Sequence, residues 1–404
     1  TPLGAATPTL QDTAAPDLSG LHTLYKTPGQ TLYSPIIQKF LAQGGTVTSG
    51  TNLWVAQPRP GASVVGVTGT KGKSTTCALL AHLLRAAGKK VGLAGNIGLP
   101  LCAVWGQTAD VWVVELSSYQ LADFTGQCDV GVVLNLYPEH LNWHSGQDRY
   151  YHDKLRLLKH AKQSFINAQN TDLAHHPAAA HAQRYNTPST WHVAGGVVRR
   201  GATPVMALAD LPLLGEHWGD SLIAAATALE ALGLEAVTLL PAAKTFTGLP
   251  HRLHSLGVAH GLTWVNDSIA TTPYASQAAL AALAPRATTI ILGGYDRGLD
   301  WSAFADYLKA HPCHAAVVQG ANAPVILAAL QNTTLPGGVH TAADLTAAVA
   351  IARQQNPPGG VVLLSPGAPS FPAYPDYQHR AQHFAQLAGF NLPPHLEMPG
   401  QGVF

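Results

Sequence analysis

The 404-residue chain carries 23 Lys and Arg against 22 Asp and Glu, a net charge of +1, and its basic residues are not clustered. That balance excludes a phosphate-backbone footprint for nucleic acid and leaves any anion to be met locally. Although 47% of the residues are hydrophobic, no run approaches the roughly 20 consecutive apolar residues of a membrane-spanning helix, so neither nucleic acid nor a membrane is an expected partner.

In chain order, the first strong element is the apolar strand Val64-Val-Gly-Val67, which runs into Gly66-Val-Thr-Gly-Thr-Lys-Gly-Lys-Ser-Thr-Thr76 and then a helix-like segment. A glycine-rich turn at a strand-to-helix junction presents N–H groups to phosphate oxygens. Gly69, Thr70 and Gly72 form the turn, with Thr75 just beyond it; Lys73 reaches the β/γ-phosphates and the Ser74 hydroxyl is suited to magnesium. The strict spacing asks for Gly at position 67, where this chain has Val67. ATP with Mg2+ is the expected pair of cofactors.

Two further strands follow, Asp110-Val-Trp-Val-Val-Glu115 and Gly131-Val-Val-Leu-Asn135. Alternation of such strands with Ala/Leu-rich helices is the pattern of parallel α/β domains, whose ligands bind beyond the carboxyl ends of the strands. Thr68, Glu115 and Asn135 should therefore converge near the phosphates. Glu115 is placed for magnesium, and a solvated strand cap is the plain alternative. His140 follows another strand end and suits a second cation or a phosphate; among 20 histidines a surface or packed side chain is equally open. Lys154 lies on an amphipathic helix, Tyr150-Tyr-His-Asp-Lys-Leu-Arg-Leu-Leu158, where a lysine faces water by default.

Residues 171–212, rich in Ala, His, Pro and Gly, read as an irregular excursion of a central domain. A second strand series, Thr263–Asn266, Thr288–Gly293, Ala315–Gln319 and Val361–Ser365, begins after Leu249-Pro250. The division is 1–60, 61–248 and 249–404. Cys77, Cys102, Cys128 and Cys313 form no CxxC pair, which argues against a zinc site or a disulfide framework. The N-terminus lacks a basic segment followed by an apolar core, and a cytoplasmic location is expected.

Taken together, the segments resemble the Mur ligases, the ATP-dependent amide-forming enzymes of peptidoglycan synthesis, and most of all the branch that adds glutamate to UDP-N-acetylmuramoyl-L-alanine. The phosphate loop, Gly95-Asn-Ile-Gly98, Glu115-Leu-Ser-Ser-Tyr-Gln-Leu121, Glu139-His-Leu, Gly215-Glu-His217, Leu249-Pro-His-Arg252, Asn266-Asp-Ser268 and Leu364-Ser-Pro366 occur in the family's order. The resemblance implies an α/β fold of Mur ligase architecture: a shortened Rossmann-like N-terminal part, a central P-loop ATPase domain and a Rossmann-like C-terminal domain. It implies that Lys73 holds phosphates, Ser74 and Glu115 the first magnesium and His140 the second, with Lys154 carbamylated. Asn96 would contact the muramoyl substrate, Arg252 the transferring phosphoryl group and Asp267 the ribose. The expected partners are small molecules met by a monomer.

Where the incoming amino acid is expected, the chain departs from the D-glutamate-adding pattern. Ile269 follows Asn-Asp-Ser in place of a lysine, Arg297 replaces another lysine with a planar fork, and Ser370 and Tyr377 occupy the family's remaining pocket positions. Asp-Ser-Ile-Ala-Thr-Thr-Pro and Gly-Tyr-Asp-Arg-Gly-Leu-Asp-Trp look like the branch that ligates L-glutamate and relies on a separate downstream epimerase. The alternatives are an ordinary D-glutamate enzyme, a folylpolyglutamate-synthetase-like ligase and an inactive nucleotide-binding scaffold. Trp218 and Ser221 stand where the family has asparagines facing adenine. Residues 1–60 resemble only the later half of a UDP-binding domain, so truncation or reduced UDP binding and lower order are expected there.

Overall fold

A computed structural model describes residue 18 and residues 20–211, 218–392 and 402–403. The expectation of lower order in residues 1–60 falls, for residues 1–17 and 19, outside the described residues, as does the Gly215-Glu-His217 motif. The chain divides into two compact units. The first gathers the described residues up to Lys73, Lys90–Tyr185 and Val403; the second gathers Ser74–Lys89 and Asn186–Gly402.

The first unit opens with strand β1 (Thr23–Lys26), helix Pro35–Ala42 and strand β2 (Thr46–Ser49), in which β1 and β2 pair in parallel from Thr23↔Thr46. Helix Gly50–Val55 leads on to the main sheet. Its strands are β3 (Ser63–Thr68), β4 (Val91–Gly95), β5 (Val111–Glu115), β6 (Cys128–Val133), β7 (Ala161–Asn167) and β8 (Gln183–Tyr185), in the order β4-β5-β3-β6-β7-β8. A seventh, the two-residue strand Gly402–Val403, lies beside β4. The pairs from β4 to β8 are all parallel. Runs such as Val-Trp-Val-Val are apolar on successive residues because both faces of a parallel sheet are covered. Trp54 and Trp112 pack edge to face at 5.0 Å on one of them.

The chain leaves β3 for β4 on one side of the sheet and, after β5, crosses to β6 on the other. Strand β3 thus stands at the point where strand order reverses, where open α/β sheets hold ligands. Register aligns the strand ends: Val67 pairs with Glu115, Gly95 with Glu115, and Thr68 with Val133.

In the second unit, residues 186–211 of the segment read from sequence as an irregular excursion are more regular. Strands β9 (Trp191–Ala194), β10 (Val197–Arg200) and β11 (Thr203–Ala207) form an antiparallel sheet in the order β9-β10-β11. Each strand has only four or five residues and few buried ones, so no long apolar alternation marks them. Strands β12 (His254–Ala259), β13 (Leu262–Asn266), β14 (Thr288–Leu292), β15 (Ala315–Val318), β16 (Val339–Thr341) and β17 (Val361–Leu364) follow, in the order β12-β13-β17-β14-β15-β16. Only β12–β13 is antiparallel. The two-residue period of a strand puts Ile290 and Leu292 in one core with Trp301 and Phe304, and Ile291 in the other with Trp264 and Phe384.

Candidate active site

Strand β3 ends at Thr68 and the chain turns through Gly69–Gly72 into helix Lys73–Ala86. A Cβ at Gly69 would lie 2.8 Å from Leu134 Cβ, so only glycine lets the turn pass this close to the segment after β6. The Lys73 ammonium donates to the carbonyls of Gly69 and Thr70, each at 3.0 Å. Buried Thr70 is fixed through its hydroxyl, 2.9 Å from the Tyr150 hydroxyl, and this hydroxyl also accepts from the Tyr137 amide at 3.0 Å. Ser74 and Thr75 continue the helix directly after Lys73.

Glu115 closes β5, and its Oε1 accepts from Asn96 Nδ2 at 2.7 Å. Its Oε2 is buried and has no hydrogen-bond partner. A carboxylate oxygen left unpaired in the interior is costly unless something cationic completes it. Of the other strand-end residues, Thr68 Oγ1 donates to the Leu116 carbonyl at 2.7 Å, and Asn135 Oδ1 accepts from the Lys71 amide at 2.9 Å.

The plain sequence reading of Lys154 as a solvated residue is corrected. Helix Gln147–Lys159 buries Tyr150, Lys154, Leu157 and Leu158, so the lysine takes a core position at helical spacing and is 1% exposed. Its ammonium donates to the Gly69 carbonyl at 2.9 Å and lies 5.0 Å from the centre of the Tyr150 ring. Burial, then the charge of Lys73, holds its pKa well below the ordinary lysine value, with Glu139 and Glu115 opposing. Lys154, Lys73 and the phosphate-loop carbonyls thus gather at one place.

His140 is half-exposed and left-handed at φ 56°, a conformation uncommon outside glycine. Its Nε2 is 3.7 Å from Glu139 Oε2, and burial disfavours its charged form. Behind it stands a network that sequence reasoning missed. Fully buried His144 lies 2.7 Å from Asp153 Oδ2 through Nδ1 and 3.0 Å from Ser118 Oγ through Nε2, while the Tyr33 hydroxyl donates to the same Asp153 oxygen at 2.6 Å. The available signals were His144 four residues after His140 and Asp153 directly before Lys154.

In the second unit Asp267, Ser370 and Arg297 lie on the loops leaving β13, β17 and β14, Arg252 just precedes β12 and Tyr377 opens helix Tyr377–Ala388. Asp267 follows β13; its buried carboxylate accepts from Ser365 Oγ at 2.7 Å and from the Leu253 amide at 3.1 Å, and burial raises its pKa to about 6 despite those bonds and Arg252. Arg252 is exposed beside buried His251. Ser370 is buried, Tyr377 is partly buried and Arg297 is exposed on the loop after β14. Ser268 Oγ donates to the Tyr377 carbonyl at 2.8 Å. Arg380, buried and also missed from sequence, braces the loops: Nε donates to Ser268 Oγ at 3.0 Å, and Nη2 donates to the carbonyls of Ser268 at 2.8 Å and Ala368 at 3.1 Å. Trp218 and Ser221 are both buried in helix Trp218–Ala231, with Trp218 edge to face against Phe246 at 6.1 Å.

Among the described residues no group of three His, Cys, Asp or Glu side chains is arranged for a metal ion. Magnesium at a nucleotide site needs less, one or two protein ligands completed by phosphates and water, so the unpaired Glu115 oxygen fits it. No helix among the described residues is long and apolar enough to cross a membrane.

The chain matches the Mur ligase middle domain over residues 67–229 and the Mur ligase glutamate ligase domain over residues 251–367. Relatives named UDP-N-acetylmuramoyl-L-alanine–L-glutamate ligase include one from Xanthomonas oryzae, 45% identical over 97% of this chain and 87% of the relative. Another, from Xylella fastidiosa, is 46% identical over 97% of this chain and 87% of the relative. Among solved structures, the UDP-N-acetylmuramate-alanine ligase MurC of Thermotoga maritima superposes with a TM-score of 0.62 at 16% identity, covering 90% of this chain and 84% of that one, a likeness of fold.

Proposed function

The chain belongs to the Mur ligase family, and we propose that within it the chain joins L-glutamate to the alanine carboxylate of UDP-N-acetylmuramoyl-L-alanine, driven by ATP, in cytoplasmic peptidoglycan synthesis. The observation that carries the chemistry is the meeting of buried Lys154, Lys73 and the Gly69 carbonyl, with Glu115 keeping one buried oxygen unpaired. On this reading the 1–60, 61–248 and 249–404 division bears the UDP-linked substrate, the nucleotide and the amino acid in turn.

Gly69, Thr70, Gly72 and Thr75 surround the phosphates, and Lys73 holds them. Ser74 and Glu115 would hold one magnesium ion, and His140 with carbamylated Lys154 a second; bound there, the ions neutralise charge developing on the transferring phosphoryl oxygens. The depressed Lys154 pKa supports carbamylation, because only a neutral amine adds carbon dioxide. Asn96, exposed and bonded to Glu115, would contact the muramoyl substrate. The alanine carboxylate takes the γ-phosphoryl group, giving an acyl phosphate and ADP. The glutamate amine then attacks that carbonyl carbon, loses a proton and displaces phosphate. Arg252 steadies the phosphoryl oxygens and Asp267 the ribose. Arg297 offers a bidentate partner to a glutamate carboxylate, and Ser370 and Tyr377 line the same pocket. An L-configured product calls for an epimerase downstream.

Acceptor identity is tested by incubating the chain with ATP, magnesium and L-glutamate plus either UDP-N-acetylmuramoyl-L-alanine or tetrahydrofolate, then weighing products by mass spectrometry. A glutamyl product on the muramoyl nucleotide alone is expected. A product on the pterin would overturn the reading in favour of a folylpolyglutamate-type ligase. ATP binding without product on either acceptor would favour a scaffold.

A further inference from the structure

The phosphate loop carries a lysine that none of these roles uses. Lys71 lies between Thr70 and Gly72, two residues before Lys73. Asn135 pins its backbone from both sides: the Lys71 amide donates to Asn135 Oδ1 at 2.9 Å, and the Lys71 carbonyl accepts from Asn135 Nδ2 at 3.2 Å. The main chain is therefore fixed, whereas the side chain is 45% exposed. Its ammonium rests 2.7 Å from Glu139 Oε1. Glu139 is next to His140, and the charges of Lys71 and Glu139 both act on buried Lys154, so the pair borders the centre of the site. A half-exposed ion pair is weakly held, because water competes for both charges. Phosphate oxygens carry more negative charge than one carboxylate and bond an ammonium more strongly.

We infer that Lys71 is a second phosphate-binding lysine of this loop, held on Glu139 until nucleotide binds and then transferred to the terminal phosphate oxygens. The inference rests on the reading of the loop as an ATP site. Glu139 is accordingly a competitor of the phosphate for the Lys71 ammonium, and its removal should shift the lysine toward the phosphate.

Calorimetric titration of the full chain in magnesium-containing buffer, with ADP and with the non-hydrolysable analogue AMPPNP, tests it without turnover. Four proteins are compared: wild type, Lys71→Ala, Glu139→Gln and the double variant, each checked for an unchanged melting temperature. The expected result is that Lys71→Ala weakens AMPPNP about 10-fold and ADP clearly less, as loss of one charge-assisted contact to the terminal phosphate requires. Glu139→Gln should tighten AMPPNP binding, and that gain should vanish in the double variant. Unchanged AMPPNP affinity in Lys71→Ala would overturn the proposal. A Glu139→Gln gain that persists without Lys71 would also overturn it, since Glu139 would then act by simple repulsion. Failure of the wild type to bind either nucleotide would instead overturn the ATP-site reading beneath it.

Discussion

Lys154 shows how one residue carries both a stability cost and a function. Its ammonium is buried and its pKa is depressed from the ordinary value of 10.5 by burial and by Lys73. Between that lowered value and 10.5 the unfolded chain binds more protons than the folded one, so native stability rises with pH across this window. Lys154→Met removes the titration. In buffer depleted of carbon dioxide we predict a melting temperature higher by about 2 °C at pH 7, with the gap closing toward pH 10, and turnover lower by about 100-fold or more. A calorimetric pH series and a steady-state assay check both halves. Asp153 makes the opposite case, since it accepts from Tyr33 and pairs with His144 in the interior. Asp153→Ala strands both partners and should cost about 3 kcal/mol in a urea titration, and Asp153→Asn, which keeps one acceptor, about half as much.

At the scale of elements, the site depends on strand ends being level. Gly95 ends β4 at φ 108°, and a Cβ there would lie 2.3 Å from the Glu115 carbonyl oxygen. Gly95→Ala should therefore push the end of β5 aside, costing about 3 kcal/mol of stability and lowering kcat, both readable on one purified variant. The buried strands and the phosphate loop were legible in the sequence because continuous apolar runs ending in polar residues have few other solutions in an α/β protein. The short strands β9 to β11 were not, because they bury too little to leave a pattern. Periodicity alone placed Lys154 in water. The spacing Tyr150, Lys154, Leu158 was visible, but a charged residue within an apolar stripe reads as a breach of the pattern until the Gly69 carbonyl and the neighbouring charges are seen to meet it. His144, Asp153 and Arg380 escaped because their meaning lies in partners far off in sequence.

Across the whole molecule, each of the two units sets several of its candidate residues beyond the carboxyl ends of parallel strands, Asn96 and the phosphate loop in the first and Asp267, Arg297 and Ser370 in the second, as ligand sites of α/β frameworks are built. Ile269 removes a cation after Asn266-Asp-Ser268, and Arg297 supplies a planar one on the loop after β14. Specificity of this kind is a difference between two affinities, so it is read only by offering both enantiomers. The direct measurement is ligation onto UDP-N-acetylmuramoyl-L-alanine with L-glutamate and D-glutamate in separate reactions, scored by phosphate release and product mass. Product is expected with L-glutamate, with a kcat/KM for D-glutamate lower by about 100-fold or more, the discrimination a site built around specific polar contacts achieves. Product formed only with D-glutamate, or equally with both, would contradict it.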